Sequence, residues 1–194
     1  MKLKPTLPLV PLALMTFLTS CAAVETPRAP WREKGSAFVS AGAFHGVPIL
    51  GRSLFWDGQG EVDDTGVELR AAKFVADDVA IGVSGRFASW WTPGDNVESG
   101  EIEGLLRTYP IPGFGLFLDV TGGYQLANHR IPPPGTTWNF SFSFGPGYDF
   151  RLSDTTRLQV GTIYHHISNA LGRQNDRNPS QNELRAFVNF VWVL

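Results

Sequence analysis

The chain has 194 residues and a formal net charge of −2, so it carries no basic bias towards nucleic acid. Hydrophobic residues make up 43% and aromatics 12%, and the roughly 170 residues beyond the N-terminal segment suit one domain. A single cysteine excludes an internal disulfide framework and a cysteine-based zinc site.

At the N-terminus, Lys2 and Lys4 precede an apolar run from Leu7 to Leu18, and small residues follow. This reads as a secretory signal peptide over residues 1–23, too short and wrongly flanked to span a membrane. Leu18-Thr19-Ser20-Cys21 resembles a bacterial lipobox, in which the cysteine is lipidated after cleavage. Cys21-Ala22-Ala23 also reads as a small-x-small cleavage site that discards the cysteine. Either route carries the protein across the inner membrane. Residues 24–34 are expected to form a periplasmic tether, and residues 35–194 the folded unit. No later run of eighteen apolar residues occurs, so no helix is expected to cross a membrane.

From residue 35 onward the hydrophobic period is two. Weaker alternation marks strands over 35–46, 66–75, 79–91 and 98–109. Residues 114–126 place Leu116, Leu118, Val120, Tyr124 and Leu126 on one face and Asp119, Thr121 and Gln125 on the other. Residues 138–150 are the clearest case. Trp138, Phe140, Phe142, Phe144, Tyr148 and Phe150 alternate with Asn139, Ser141, Ser143 and Asp149. Residues 156–168 set Leu158, Val160, Thr162 and Tyr164 against Arg157, Gln159 and Gly161. Residues 184–194 set Leu184, Ala186, Val188, Phe190, Trp192 and Leu194 against Arg185 and Asn189.

The expected fold is therefore all-β, an eight-stranded antiparallel transmembrane β-barrel. Its inward faces would carry Glu68, Arg70, Arg86, Glu101, Glu103, Arg107, Asp119, Asp149, Arg151, Arg157 and Arg185. Both signs of charge suit a narrow lumen filled by ion pairs, not an open pore. A soluble, lipocalin-like barrel would bury the aromatic faces and expose the charges instead. Short turns are expected at 76–78, 110–113 and 152–154. The connections 47–65, 92–97, 127–136 and 169–182 are mostly longer. Short periplasmic turns and long external loops then put both termini in the periplasm and the end of the seventh strand at the outer rim.

That end reads Tyr164-His165-His166-Ile167-Ser168-Asn169. His166 and Ser168 share a strand face, about 6–7 Å apart along the chain. Their parity is that of Leu158 and Val160, so both point outward, where polar groups are costly without a purpose. A serine becomes a nucleophile when a base such as imidazole takes its proton. A carboxylate usually orients that imidazole, and Glu183 stands at the start of the last strand. His165 has lumen parity. His45 and His129 read as rim or loop residues. Strand-end His and Ser residues also occur simply in the headgroup region.

His166-Ile167-Ser168-Asn169-Ala170, a polar loop with Asn178-Pro179, and a final amphipathic strand together resemble the lipid A 3-O-deacylase (PagL-type) family. The specific likeness spans about residues 156–194. It implies an eight-stranded outer-membrane esterase acting on lipopolysaccharide, with outer-membrane lipids around it and no cofactor. By the resemblance Ser168 is the nucleophile, His166 the general base, and Asn169 a part of the oxyanion hole. A monomer or weak homodimer is expected. Anchoring on Asn178-Pro179 places the acid position at Asn182, one residue before Glu183. Parity also favours Asn182 for the outer face, since Glu183 is in step with Arg185 and Asn189. Glu183 is the expected acid, re-aimed outward by a bulge at the strand start. A non-catalytic barrel, serving as an adhesin or an envelope-stability protein, is the alternative function.

Overall fold

The computed structural model describes residues 29–49, 62–92, 94, 96–171 and 179–194. The signal peptide, Cys21 and the first part of the expected tether lie outside these residues, as does Asn178. Eight strands run β1 (Ala37–Pro48), β2 (Asp63–Ala76), β3 (Val79–Trp91), β4 (Asn96–Thr108), β5 (Leu116–Ile131), β6 (Thr136–Arg151), β7 (Thr156–Ser168) and β8 (Gln181–Val193). Each pairs antiparallel with its sequence neighbours, and β1 pairs with β8 to close the barrel. Closure leaves no unpaired sheet edge, which a lipid environment requires.

The alternation seen in the sequence becomes the two walls. Leu69, Ile102, Phe87, Leu126 and Phe140 stand exposed on the outside. Trp138, Phe142 and Phe144 share that face and are half-buried against neighbouring rings. Asn139, Ser141 and Ser143, between them in sequence, are buried in the lumen. A soluble barrel would have these walls reversed.

Charged residues fill the middle of the lumen. Arg86 donates to Glu68 at 3.2 Å and to Glu101 at 3.3 Å, and also binds Glu103. Arg70 bridges Glu68 and Asp119, at 2.8 and 2.7 Å. Arg107 holds Asp119 with two nitrogens, at 2.7 and 2.8 Å, and its guanidinium lies 3.9 Å from the Phe117 ring centre. Ten of the eleven charged residues expected inside are buried there. Arg151 is the exception. It sits at the end of β6, exposed, and pairs with Asp154 outside the lumen.

The lumen also holds large rings that the alternation did not single out. Phe117 and Phe187 point inward and fit because Gly147 and Gly161 face them. A Cβ on Gly147 would lie 2.2 Å from Phe117 Cζ, and one on Gly161 would lie 2.5 Å from Phe187 Cζ. At the end of the barrel that carries the short turns, Trp31 meets Phe74, Tyr109 and Phe38 edge-on, with ring centres 5.5, 5.7 and 6.2 Å apart. Trp31 belongs to a short 3-10 turn, Pro30–Arg32, that starts on a proline. Arg32 ties that turn to Asp78 at 3.2 Å and to the Phe114 carbonyl at 2.9 Å. The last residues of the expected tether thus pack into the barrel mouth as a plug.

Two connections differ from expectation. The 127–136 loop is mostly strand, because β5 and β6 run on to pair Ile131 with Thr136. β8 begins at Gln181 and not at residue 184, and this earlier start sets the geometry of the site.

Candidate active site

β7 and β8 pair in unbroken register at their outer ends: Tyr164 opposite Leu184, His165 opposite Glu183, His166 opposite Asn182 and Ile167 opposite Gln181. No bulge interrupts these pairs, so parity decides which side chain faces which wall. Asn182 faces outward with His166. Glu183 faces the lumen with His165.

The outward pair is hydrogen-bonded. His166 Nδ1 lies 2.7 Å from Asn182 Oδ1. The Tyr164 hydroxyl reaches the same oxygen at 2.5 Å. An amide oxygen accepts only, so His166 donates from Nδ1 and its Nε2 carries the lone pair. All three residues are buried, at 6% exposure for Tyr164 and His166 and 1% for Asn182, although they stand on the wall where Leu69 is 65% exposed.

Glu183 does not join them. Inside the barrel its carboxylate accepts from Arg185 Nε at 3.0 Å, binds Gln181, and lies 3.1 Å from His165 Nδ1. The expected re-aiming of Glu183 by a bulge is therefore corrected. Pairing starts three residues earlier than the alternation suggested, and a regular ladder carries Glu183 inward to Arg185. The side chain that meets the imidazole at the acid position is Asn182.

Ser168 ends β7 on the same face as His166 and is half-buried. Across the β6 ladder, Ser168, His166 and Tyr164 stand opposite Phe140, Phe142 and Phe144. The Phe144 and Tyr164 rings are 5.2 Å apart. An aromatic strip thus runs beside the polar residues.

Asn169 follows Ser168 and is buried. Its Nδ2 donates to Thr136 Oγ1 at 3.1 Å, and its Oδ1 accepts from the Leu171 amide at 3.2 Å. Ala170 and Ser180 flank the connection to β8 with φ of 57° and 41°. Non-glycine residues in this left-handed region are held there by their surroundings, and such strain collects at functional sites.

Sequence reasoning placed Tyr164 on the outer face but gave it no role, and the signal was available. Positions 164, 166 and 168 form one outward row, and the row ends in three polar side chains. His45 bonds Thr65 at 2.8 Å on the rim, and His129 is exposed, away from this site. Inside the barrel, Glu101, Glu103 and His165 bring ligand-type atoms within 4.8 Å of one another. They are already engaged there by Arg86, Arg185, Ser141 and Glu183.

Comparison with known proteins gives a family and a fold. Residues 79–190 match the family model described as lipid A 3-O-deacylase (PagL). No curated protein matches the chain. Among solved structures, the outer membrane protein OprG from Pseudomonas aeruginosa aligns with a TM-score of 0.53 at 12% identity, covering 84% of this chain and 97% of that one. Neisserial surface protein A (NspA) aligns with a TM-score of 0.56 at 15% identity, covering 80% of this chain and 98% of that one. These two likenesses concern the fold. The family match and the lipid-type outer wall place the protein in the bacterial outer membrane.

Proposed function

Because the chain belongs to the lipid A 3-O-deacylase (PagL) family, we propose that it is a serine esterase that removes the ester-linked acyl chain at the 3-position of lipid A. The observation that carries this reading is the 2.7 Å hydrogen bond between His166 and Asn182, buried in a wall that otherwise faces lipid. Polar groups on such a wall are costly, and functional residues are the usual reason for keeping them there.

The chemistry follows from the tautomer. With Nδ1–H donated to Asn182, Nε2 takes the Ser168 proton as Oγ attacks the ester carbonyl. The oxyanion of the tetrahedral intermediate accepts hydrogen bonds, with the Asn169 amide as the side-chain donor. Collapse breaks the ester bond, and the departing sugar alkoxide takes the proton from the imidazolium. The acyl group stays on Ser168. Water then attacks that acyl-enzyme, giving its proton to His166, and the fatty acid leaves as Ser168 Oγ is reprotonated. Every step uses this chain's side chains and water. The acyl chain would lie along Phe140, Phe142 and Phe144, so the substrate reaches the site sideways from the outer leaflet.

Asn182 orients the imidazole but supplies no negative charge. The imidazolium formed in the transition state lacks the counter-charge of a carboxylate triad, and the rate is expected to be correspondingly modest. That amide is also the one feature favouring the second reading, a non-catalytic barrel serving as an adhesin or an envelope-stability protein. Incubating the purified, folded barrel with lipid A in detergent separates the two. Release of one fatty acid per lipid supports the esterase, and intact lipid A after long incubation supports the second reading.

A further inference from the structure

We propose that Tyr164 is a positioning residue of the site: its hydroxyl locks the Asn182 amide in the orientation that makes His166 a base. The inference rests on the esterase reading for its consequence, but its physical content is the state of one imidazole.

Asn182 can present either end of its amide to His166. With Oδ1 facing the ring, Nδ1 must donate and Nε2 keeps the lone pair that Ser168 needs. With the NH2 facing the ring, Nδ1 must accept, the proton sits on Nε2, and the base is lost. A carboxylate has two equivalent acceptors and poses no such choice. An amide at this position therefore needs something to set it.

Tyr164 is placed to do so. Its hydroxyl and His166 Nδ1 converge on the same atom, Asn182 Oδ1, at 2.5 and 2.7 Å. The Tyr164 contact is within the range of O–H···O bonds, whereas N–H···O bonds settle at ~2.9–3.0 Å. A flipped amide would set its NH2 against the hydroxyl, which would then have to turn from donor to acceptor and give up the 2.5 Å contact. Tyr164 has little freedom to yield, since its ring packs against Phe144 at 5.2 Å and the residue is buried. β7 also holds the two donors in fixed relation, because residues 164 and 166 are successive positions on one face.

The test uses Tyr164→Phe, which keeps the ring and removes the hydroxyl, alone and together with Asn182→Asp. The first readout is nitrogen NMR of the His166 imidazole in the folded barrel, assigned by its loss in His166→Gln. Wild type is expected to be the Nδ1–H tautomer, Tyr164→Phe a mixture with Nε2–H, and Tyr164→Phe/Asn182→Asp again Nδ1–H. The second readout is ester hydrolysis. Tyr164→Phe should lower kcat about tenfold with KM unchanged, a difference of ~1.4 kcal/mol in barrier. In the Asn182→Asp background the same change should cost less than about twofold. A single Nδ1–H tautomer in Tyr164→Phe overturns the proposal, as does an equal loss of kcat in both backgrounds. If wild type hydrolyses no lipid A but the tautomer responds as described, the positioning role stands and the esterase reading falls.

Discussion

Glu183 meets His165 and not His166: its Oε2 lies 3.1 Å from His165 Nδ1, inside the barrel, while His166 bonds Asn182 at 2.7 Å on the outer wall. Two adjacent histidines thus serve opposite sides of one sheet. One residue of register separates a luminal ion-pair network from the candidate active site. The acidic residue nearest the site in sequence is therefore a structural residue of the lumen.

The first prediction follows directly. Asn182→Ala removes the acceptor that orients His166 and should lower kcat about 10–100-fold in a folded barrel. Glu183→Gln should leave kcat within a few-fold. It should instead lower stability, because Arg185 loses a buried partner held at 3.0 Å. Kinetics and denaturant unfolding of the two variants side by side separate the roles. A large kcat loss confined to Glu183→Gln would show that the acid reaches the site after all.

Asn169 is expected to act on the oxyanion. Asn169→Ala should reduce kcat by ~10²–10³ with little change in KM, the usual cost of removing one such donor. Asn169 also bonds Thr136 at 3.1 Å, so Thr136→Val is the control. If Thr136→Val costs as much as Asn169→Ala, the amide serves the loop and not the intermediate.

In the lumen, Arg86 pairs with three carboxylates, Glu68, Glu101 and Glu103. Arg86→Ala takes the ion-pair partner from buried Glu103 and one partner each from Glu68 and Glu101, which keep Arg70 and Arg185. It should destabilise the barrel by about 3–5 kcal/mol, the usual penalty for breaking a buried pair. Arg151→Ala should change stability by about 0.5 kcal/mol or less, since its pair with Asp154 is exposed. Urea unfolding in lipid vesicles gives both numbers, and equal effects would contradict the assignment of Arg151 to the exterior.

Gly161→Ala should be destabilising, because the new Cβ would meet Phe187 Cζ at 2.5 Å and the Pro146 carbonyl oxygen at 2.6 Å. Phe187→Leu should recover part of the loss by vacating the ring position. Failure of any recovery would place the strain in the backbone contact alone.

The barrel was legible in the sequence because lipid on one side and a narrow lumen on the other impose strict alternation. Trp138 to Phe150 display it without reference to any other protein. The outward row of His166 and Ser168 was legible for the same reason. The partner of His166 turned on a single-residue question, where β8 begins. Parity pointed to Asn182 and chemical expectation to Glu183. The ladder from Gln181 decides for parity, because Arg185 and His165 stabilise Glu183 inside. The plug at Trp31 was not legible, since a three-residue turn has no period. The inward rings of Phe117 and Phe187 were hidden too, as they depend on glycines in other strands.

Mass spectrometry of lipid A from cells carrying the wild-type barrel, the Ser168→Ala barrel or neither tests the esterase assignment most directly. Nucleophile and base act as a unit, so losing Ser168 should cost nearly the whole covalent route. Wild type is predicted to yield lipid A lighter by one ester-linked acyl chain at the 3-position. Ser168→Ala, equally folded by heat-modifiability, should yield the same lipid A as cells without the protein. Deacylation by Ser168→Ala at the wild-type level, or unmodified lipid A in cells that display the folded wild-type barrel, would contradict the assignment.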